Sequence, residues 1–182
     1  MMSDPVSRNL VCHPQTPSRS IDAINVRVEC ATGSILALSF VLQGDLASLR
    51  IPVQQPRRQV DALWRHTCFE AFLVTGDGPG YREYNFSPSG EWAAYAFRGY
   101  RQAGAASDES APVIRLQRRA QRLALEAEVS LELPPLTRSI RLGLSAVVEA
   151  ADGSLSYWAL RHPPGKPDFH HADGFALLLD GC

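Results

Sequence analysis

From Ile24 onward, apolar or β-branched side chains alternate with polar ones in short runs separated by turn residues, and no apolar stripe of useful length recurs at 3.6-residue spacing. A period of two sends successive side chains to opposite faces of a strand, so each run can bury one face and wet the other. With no helix to cover a sheet, the apolar faces must cover one another, which leaves a sandwich or a barrel. The expected fold is all-β: an antiparallel two-sheet sandwich of about ten strands, in one domain over residues 1–182.

The turn residues place the strands. Residues 25–30 and 35–42 flank the turn signal Ala31-Thr32-Gly33-Ser34, and 46–51 follow Gly44-Asp45 as a further expected strand. Residues 67–74, 81–87 and 91–98 read as a three-strand meander, joined by a Gly-rich turn over 75–80 and by Ser87-Pro88-Ser89-Gly90. Leu123, Leu125, Ala127 and Val129 share one face of a strand, and so do Ile140, Leu142, Leu144, Ala146 and Val148. Asp152-Gly153 supplies the positive φ angles of a tight hairpin leading into 154–161. Two loops stand out: a small-residue, acidic stretch near 102–112, expected to be exposed and flexible, and a Pro/His-rich stretch near 162–173 before a last strand over 175–179.

At 182 residues the chain can bury a sizeable core without staples. A net charge of −1, with Lys and Arg spread along the chain, presents no basic face, so neither nucleic acid nor an anionic membrane is expected as a partner. No apolar run approaches the ~20 residues that span a bilayer, and residues 1–14 contain no apolar signal segment, so the expected home is cytoplasmic. Cys12, Cys30, Cys68 and Cys182 form no CxxC pair and match no zinc or disulfide framework, so four free thiols are expected. Composition does not speak to the oligomeric state.

Glu70 is the most informative residue, the one charge in Thr67-Cys68-Phe69-Glu70-Ala71-Phe72-Leu73-Val74, a run apolar on both faces that reads as a central strand. Burying an unpaired carboxylate costs several kcal/mol, so Glu70 must face water, a partner or a ligand cavity, or else pair with an Arg such as Arg82 or Arg98. A turn centred near Asp77 sets Glu70 opposite Asn85 on a face shared with Tyr81 and Glu83, leaving Phe69, Ala71, Leu73, Tyr84 and Phe86 for the core. Trp64, just before this strand, could cap the mouth of a sheet, and Trp158, inside a later strand, is a weaker platform of the same kind. The loop from Arg161 to Asp173 gathers His162, His170 and His171 with Asp168, and three prolines stiffen it, which lowers the entropy cost of holding polar groups toward a ligand. Adjacent His170 and His171 tend to point apart, so no metal is expected. No nucleophile elbow, phosphate loop, dinucleotide fingerprint or zinc-protease helix is present, so nothing names a reaction.

Three stretches carry a resemblance: residues 63–73 around Trp64 and Glu70; 81–92, Tyr-Arg-Glu-Tyr-Asn-Phe-Ser-Pro-Ser-Gly-Glu-Trp; and Ser156-Tyr157-Trp158-Ala159-Leu160 with Lys166-Pro167-Asp168-Phe169-His170-His171. In these the chain resembles the uncharacterised bacterial DOMON-like domains that are similar to family nine carbohydrate-binding modules. The resemblance implies a β-sandwich with a ligand site at one end or face, and binding rather than chemistry. In such modules a Trp before the acidic strand and a second Trp near the last strand clamp a sugar, with an acidic group and an Arg on its hydroxyls. Here Trp64 and Glu70 match the first part, Asn85 stands where the Arg would be, and Phe169 with His170 replaces the second Trp. Other DOMON relatives hold haem through Met and His, but Met1 and Met2 are the only methionines, so no cofactor is expected.

The reading is a non-catalytic binding module for a small polar ligand, a carbohydrate, with Trp64, Glu70, Asn85, Trp158, Asp168, Phe169 and His170 as the candidate ligand-binding residues. The alternatives are a small-substrate enzyme with Glu70 as base and a loop histidine as acid, and a protein-interaction domain.

Overall fold

The computed structural model describes residues 4–31, 34–104, 109–133, 137 and 139–180. Among the described residues, thirteen strands form two antiparallel sheets packed face to face, so the sandwich holds with more strands than the expected ten. The smaller sheet has the order β1 (Val6–Asn9), β3 (Ile21–Ala31), β4 (Ile35–Gly44), β10 (Arg122–Ser130), β9 (Val113–Arg119). The larger runs β2 (Val11–Cys12), β12 (Leu155–Ala159), β11 (Ser139–Glu149), β5 (Cys68–Val74), β6 (Tyr81–Phe86), β7 (Trp92–Gly99), β8 (Gln102–Ala103), and β13 (Leu177–Asp180) also pairs with β11.

Alternation decides which residues meet between the sheets. Val26, Val28, Leu36, Leu38, Phe40 and Leu125 come from the smaller sheet, and Phe69, Leu73, Tyr84, Phe86, Leu142 and Leu144 from the larger, all within one buried cluster. Burial of each large aliphatic or aromatic side chain contributes about 1.5–3 kcal/mol. The five residues expected on the core side of β5 and β6, namely Phe69, Ala71, Leu73, Tyr84 and Phe86, all lie there.

Three expectations change. Residues 46–51 are no strand: Asp45 caps a 3-10 turn over Leu46–Ser48, its Oδ1 accepting from the Ala47 N–H and its Oδ2 from the Ser48 hydroxyl, and only Leu49 makes an isolated bridge, to Ala150. Of the stretch 102–112, residues 105–108 lie outside the described residues; Gln102–Ala103 pair with β7, and the Glu109 carboxylate accepts from the Tyr84 hydroxyl at 2.8 Å and pairs with Arg82 at 3.1 Å. Cys12 and Cys68 are free thiols as expected, but Cys30 is disulfide-bonded, and Cys182 lies outside the described residues.

The feature that positions the site is the edge of β11. Its second half pairs with β12, from Ser145↔Ala159 to Glu149↔Leu155, and its first half with β13, from Ser139↔Asp180 to Leu142↔Leu177. The chain therefore leaves this edge after Ala159 and returns at Leu177 almost where it left, and residues 160–176 must arch over the sheet face turned away from the core. Phe175 anchors the arch, stacked on Phe72 at 5.8 Å and tilted against Tyr81 at 5.3 Å. Gly143 permits this approach, because a Cβ there would lie 2.7 Å from Phe175 Cδ1 and 3.3 Å from the Gly174 carbonyl oxygen.

Two outcomes test this description. Gly143→Ala should lower stability by about 1–3 kcal/mol, read by denaturant melts, because the Phe175 ring is boxed in and cannot yield cheaply. Alkylation of denatured, unreduced protein should modify the peptides carrying Cys12 and Cys68, while the Cys30 peptide reacts only after reduction.

Candidate functional site

The floor of the site is the outer face of β5 and β6. Glu70 pairs with Asn85 on one side and Ser145 on the other, and the next row sets Phe72 opposite Glu83, which lies opposite Tyr95. Over this floor lies a cavity of about 580 Å³, roofed by Pro167, Phe169 and His170 of the arch and walled on the far side by Asp61 and Trp64. The far wall is placed by a 3-10 turn, Leu63–Arg65, whose Leu63 is buried against Cys68 and Ala93. Tyr95 ties that wall down: its hydroxyl accepts from the Ala62 N–H at 3.3 Å and donates to Asp61 Oδ1 at 3.2 Å.

Two carboxyl groups sit at the bottom. Glu70 is 2% exposed and Glu83 5%. Glu70 Oε2 accepts from the Ser145 hydroxyl at 3.3 Å, and Glu83 Oε1 accepts from Asn85 Nδ2 at 2.7 Å. The structure separates the two roles open to Glu70: Arg82 is engaged by Glu109, Arg98 is exposed, and among the described residues no cation lies within ion-pair distance of Glu70. Burial first, and the Glu83 charge second, push the Glu70 carboxyl well above the usual carboxylate range. Burial also raises Glu83, against the opposing pull of its Asn85 hydrogen bond and of Arg101.

The roof carries a hydrogen-bond relay. The Arg101 backbone N–H donates to the Tyr81 hydroxyl at 3.1 Å, and that hydroxyl lies 2.8 Å from His170 Nδ1. Burial, then the nearby Arg101 charge, lower the His170 pKa to about 4, so the ring is neutral near pH 7. A neutral ring accepting from Tyr81 at Nδ1 keeps its proton on Nε2, which faces Glu83 Oε2 at 3.7 Å. Asp168 organises the other side, accepting from the Tyr100 hydroxyl at 2.6 Å, from Arg101 Nη2 at 2.9 Å and from the His170 backbone N–H at 3.1 Å. Burial pushes the Asp168 pKa up, but the bonds from Tyr100 and Arg101 outweigh it and hold the carboxylate below its ordinary value.

Of the residues singled out from sequence, Trp64, Glu70, Phe169 and His170 line this cavity. Asn85 lies just beneath it, fully buried and bonded to Glu83. Asp168 stands behind Arg101 rather than on the cavity wall, and Trp158 points the opposite way, into the core between the sheets, with its Nε1–H donating to Ser156 Oγ at 3.0 Å. Its neighbour Tyr157 is the one that faces the cavity, in edge contact with Phe169. Sequence reasoning left out Asp61, Tyr95, Phe97, Arg101, Val147 and Tyr157. Among the described residues no three His, Cys, Asp or Glu side chains converge as metal ligands. The cavity can offer aromatic faces, neutral or charged oxygen acceptors, one guanidinium and the His170 Nε2–H.

No family model matches this chain, and no curated protein matches it by sequence. Solved structures do. A crystal structure of a protein from Bacteroides uniformis, provisionally described as carbohydrate-binding, superimposes with a TM-score of 0.71 at 13% identity, covering 98% of this chain and 86% of that one. The fold is shared. A family nine carbohydrate-binding module from Caldicellulosiruptor kristjanssonii, in complex with cellotriose, follows at a TM-score of 0.50 and 10% identity, covering 81% of this chain and 72% of that one. At these identities the likeness concerns the path of the backbone.

The carboxyl pair has a thermodynamic signature. A carboxyl whose folded pKa lies above its unfolded value of about 4.3 stabilises the fold below that value and loses the contribution as pH rises through the folded pKa. Glu70→Gln removes a carboxyl that the site resists ionising and breaks no ion pair. The variant should therefore melt higher than the parent at pH 8, with the difference shrinking toward pH 4. A lower melting temperature at pH 8 would mean that Glu70 is held ionised by a cation.

Proposed function

We propose that the chain is a non-catalytic binding module for a small polar ligand, a carbohydrate, seated in the cavity between the larger sheet and the 160–176 arch. The observation that carries this reading is the composition of that cavity: Trp64, Tyr157 and Phe169 supply apolar faces around a floor of Glu70 and Glu83. A sugar ring presents one apolar face of C–H groups and a rim of hydroxyls, so it matches rings on the walls and paired acceptors below. The volume of about 580 Å³ falls in the ~300–1,000 Å³ range of small-molecule sites. The two neighbours in fold, a family nine carbohydrate-binding module and a protein provisionally described as carbohydrate-binding, support the same assignment.

One observation favours a second reading, a small-substrate enzyme: a neutral imidazole, His170, lies 3.7 Å from one of two carboxyls whose pKa values are raised. Turnover of any ligand that binds would establish it, and an unchanged ligand after prolonged incubation would dismiss it.

The binding reading is tested by titration calorimetry with cello-oligosaccharides and other neutral di- and trisaccharides. Trp64 is 47% exposed, so Trp64→Ala should leave the melting temperature nearly unchanged while weakening a bound sugar by about 1–2 kcal/mol, or five- to thirty-fold in Kd. Phe169→Ala should weaken it comparably. Affinities indifferent to both changes would place the ligand elsewhere.

A further inference from the structure

We infer that the ligand of this cavity carries a protonated amine, an aminated sugar whose ammonium group is received between Glu70 and Glu83; this rests on the carbohydrate reading above. The argument begins with charge. Glu70 is 2% exposed, its one hydrogen bond is the Ser145 contact to Oε2, and it lines the cavity floor with no cation in reach among the described residues. Glu83 is bonded to Asn85 and faces the neutral His170. The guanidinium that lines the cavity, Arg101, is already matched by Asp168 at 2.9 Å, and Asp61 adds a further carboxylate at the rim. The walls therefore hold more acid than base, and a cationic group on the ligand would give the pair the partner that the described residues do not supply.

Geometry agrees. Glu70 pairs with Asn85, and Glu83 stands two residues from Asn85 on the same face of β6, so the two carboxyls are diagonal neighbours across adjacent strands. Such neighbours have Cα atoms about 7–8 Å apart, a gap that long side chains bridge. An ammonium nitrogen has three donors and sits about 2.7–2.9 Å from each carboxylate oxygen, so one such group can bond both carboxyls at once. A hydroxyl, with a single proton, can donate to only one of two ionised carboxylates. The rings of Tyr95 and Phe97 beside the pair add faces that attract a cation.

The arrangement also predicts how protons move. The groups facing the pair are Cys68, Tyr81 and Tyr95 on the sheet, all with raised pKa values and neutral near pH 7, and from the loops neutral His170, Arg101 and Asp61. The group whose balance an ammonium shifts is the pair itself: a cation between the two carboxyls lowers their raised pKa values, and a proton held there is released to solvent on binding.

The test uses three disaccharides with one β-1,4 backbone and different groups at C2: the diamine of chitobiose, cellobiose with hydroxyls, and diacetylchitobiose with acetamides. Titration calorimetry on the full chain at pH 6.5 and about 0.15 M salt, a normal screening strength, should give the diamine at least a ten-fold lower Kd than either neutral sugar. Its enthalpy should change between phosphate and Tris buffers, reporting proton release, where those of the neutral sugars do not. In Glu70→Gln and in Glu83→Gln the preference should fall below three-fold, with the circular dichroism spectrum retained as the check on folding. A neutral sugar that binds as tightly as the diamine overturns the inference and leaves the carbohydrate reading standing. Binding of 2-aminoethanol as tight as that of the diamine upholds the amine and removes the sugar. If the neutral sugars, the diamine and 2-aminoethanol all fail to bind, both readings fall. A preference that survives both substitutions overturns the assignment of the ammonium to this pair.

Discussion

A strand buried on both faces must be covered twice. All seven residues of β5 are buried, and those on one face, Phe69, Ala71 and Leu73, meet the smaller sheet. The other face carries Phe72 and Val74, for which the described residues supply no third sheet. It is covered by the 160–176 arch, through Phe175 and Phe169. At about 1.5–3 kcal/mol for each large side chain taken out of water, leaving that face bare would forfeit a substantial fraction of a stability that totals only 5–15 kcal/mol in a typical domain. The cover stops where the face changes from Phe72 to Glu70. The cavity is what remains above the acidic end of a strand whose apolar end had to be roofed.

The polar groups in that cavity are organised in advance of any ligand. Asp168 gathers donors from Tyr100, Arg101 and His170, and Tyr81 links Arg101 to His170, so the roof is tied to the turn between β7 and β8 by two charge-assisted bonds and the Tyr81 relay. Fixing these groups during folding spares a ligand the entropy of fixing them during binding. The same low-dielectric setting is what raises the pKa of both carboxyls, because there an unpaired charge is dear and a partnered one is favourable. Readiness for a counter-charge and reluctance to ionise without one are two sides of a single environment.

What could be read from the sequence follows from what a period of two records. The pairing of Glu70 with Asn85, and the split of β5 and β6 into core and outer faces, needed only alternation and a turn centre, and both are local. The orientation of Trp158 was legible in principle: Ala146 and Val148 were assigned to the core, and carrying that parity across the Asp152-Gly153 hairpin sets Trp158 beside Ala146 and sends Tyr157 out. Tyr95, Phe97 and Arg101 were less accessible, since their part depends on how far the arch reaches over β7, which is tertiary. The bond at Cys30 has no signature in spacing, because disulfides join residues that are near in space. Residues 46–51 alternate like a strand, yet the Asp45 carboxylate offers the Ala47 N–H a closer partner than any neighbouring strand.

The way the arch is mounted bears on how such a fold diversifies. Its two ends are stapled to positions three residues apart on β11, Ser145 by β12 and Leu142 by β13, so its span is set by the sheet whatever its contour. Lengthening a loop between fixed ends costs only slowly more, about 0.6 kcal/mol per doubling. The arch is therefore a replaceable cassette: residues can be gained, lost or exchanged in it while every strand keeps its register. The Phe175 anchor and its seat at Gly143 would stay as the hinge post. Floor and roof can then evolve at different rates, with the acidic floor inherited alongside the sandwich and the choice of ligand renegotiated in one short, contiguous piece of chain.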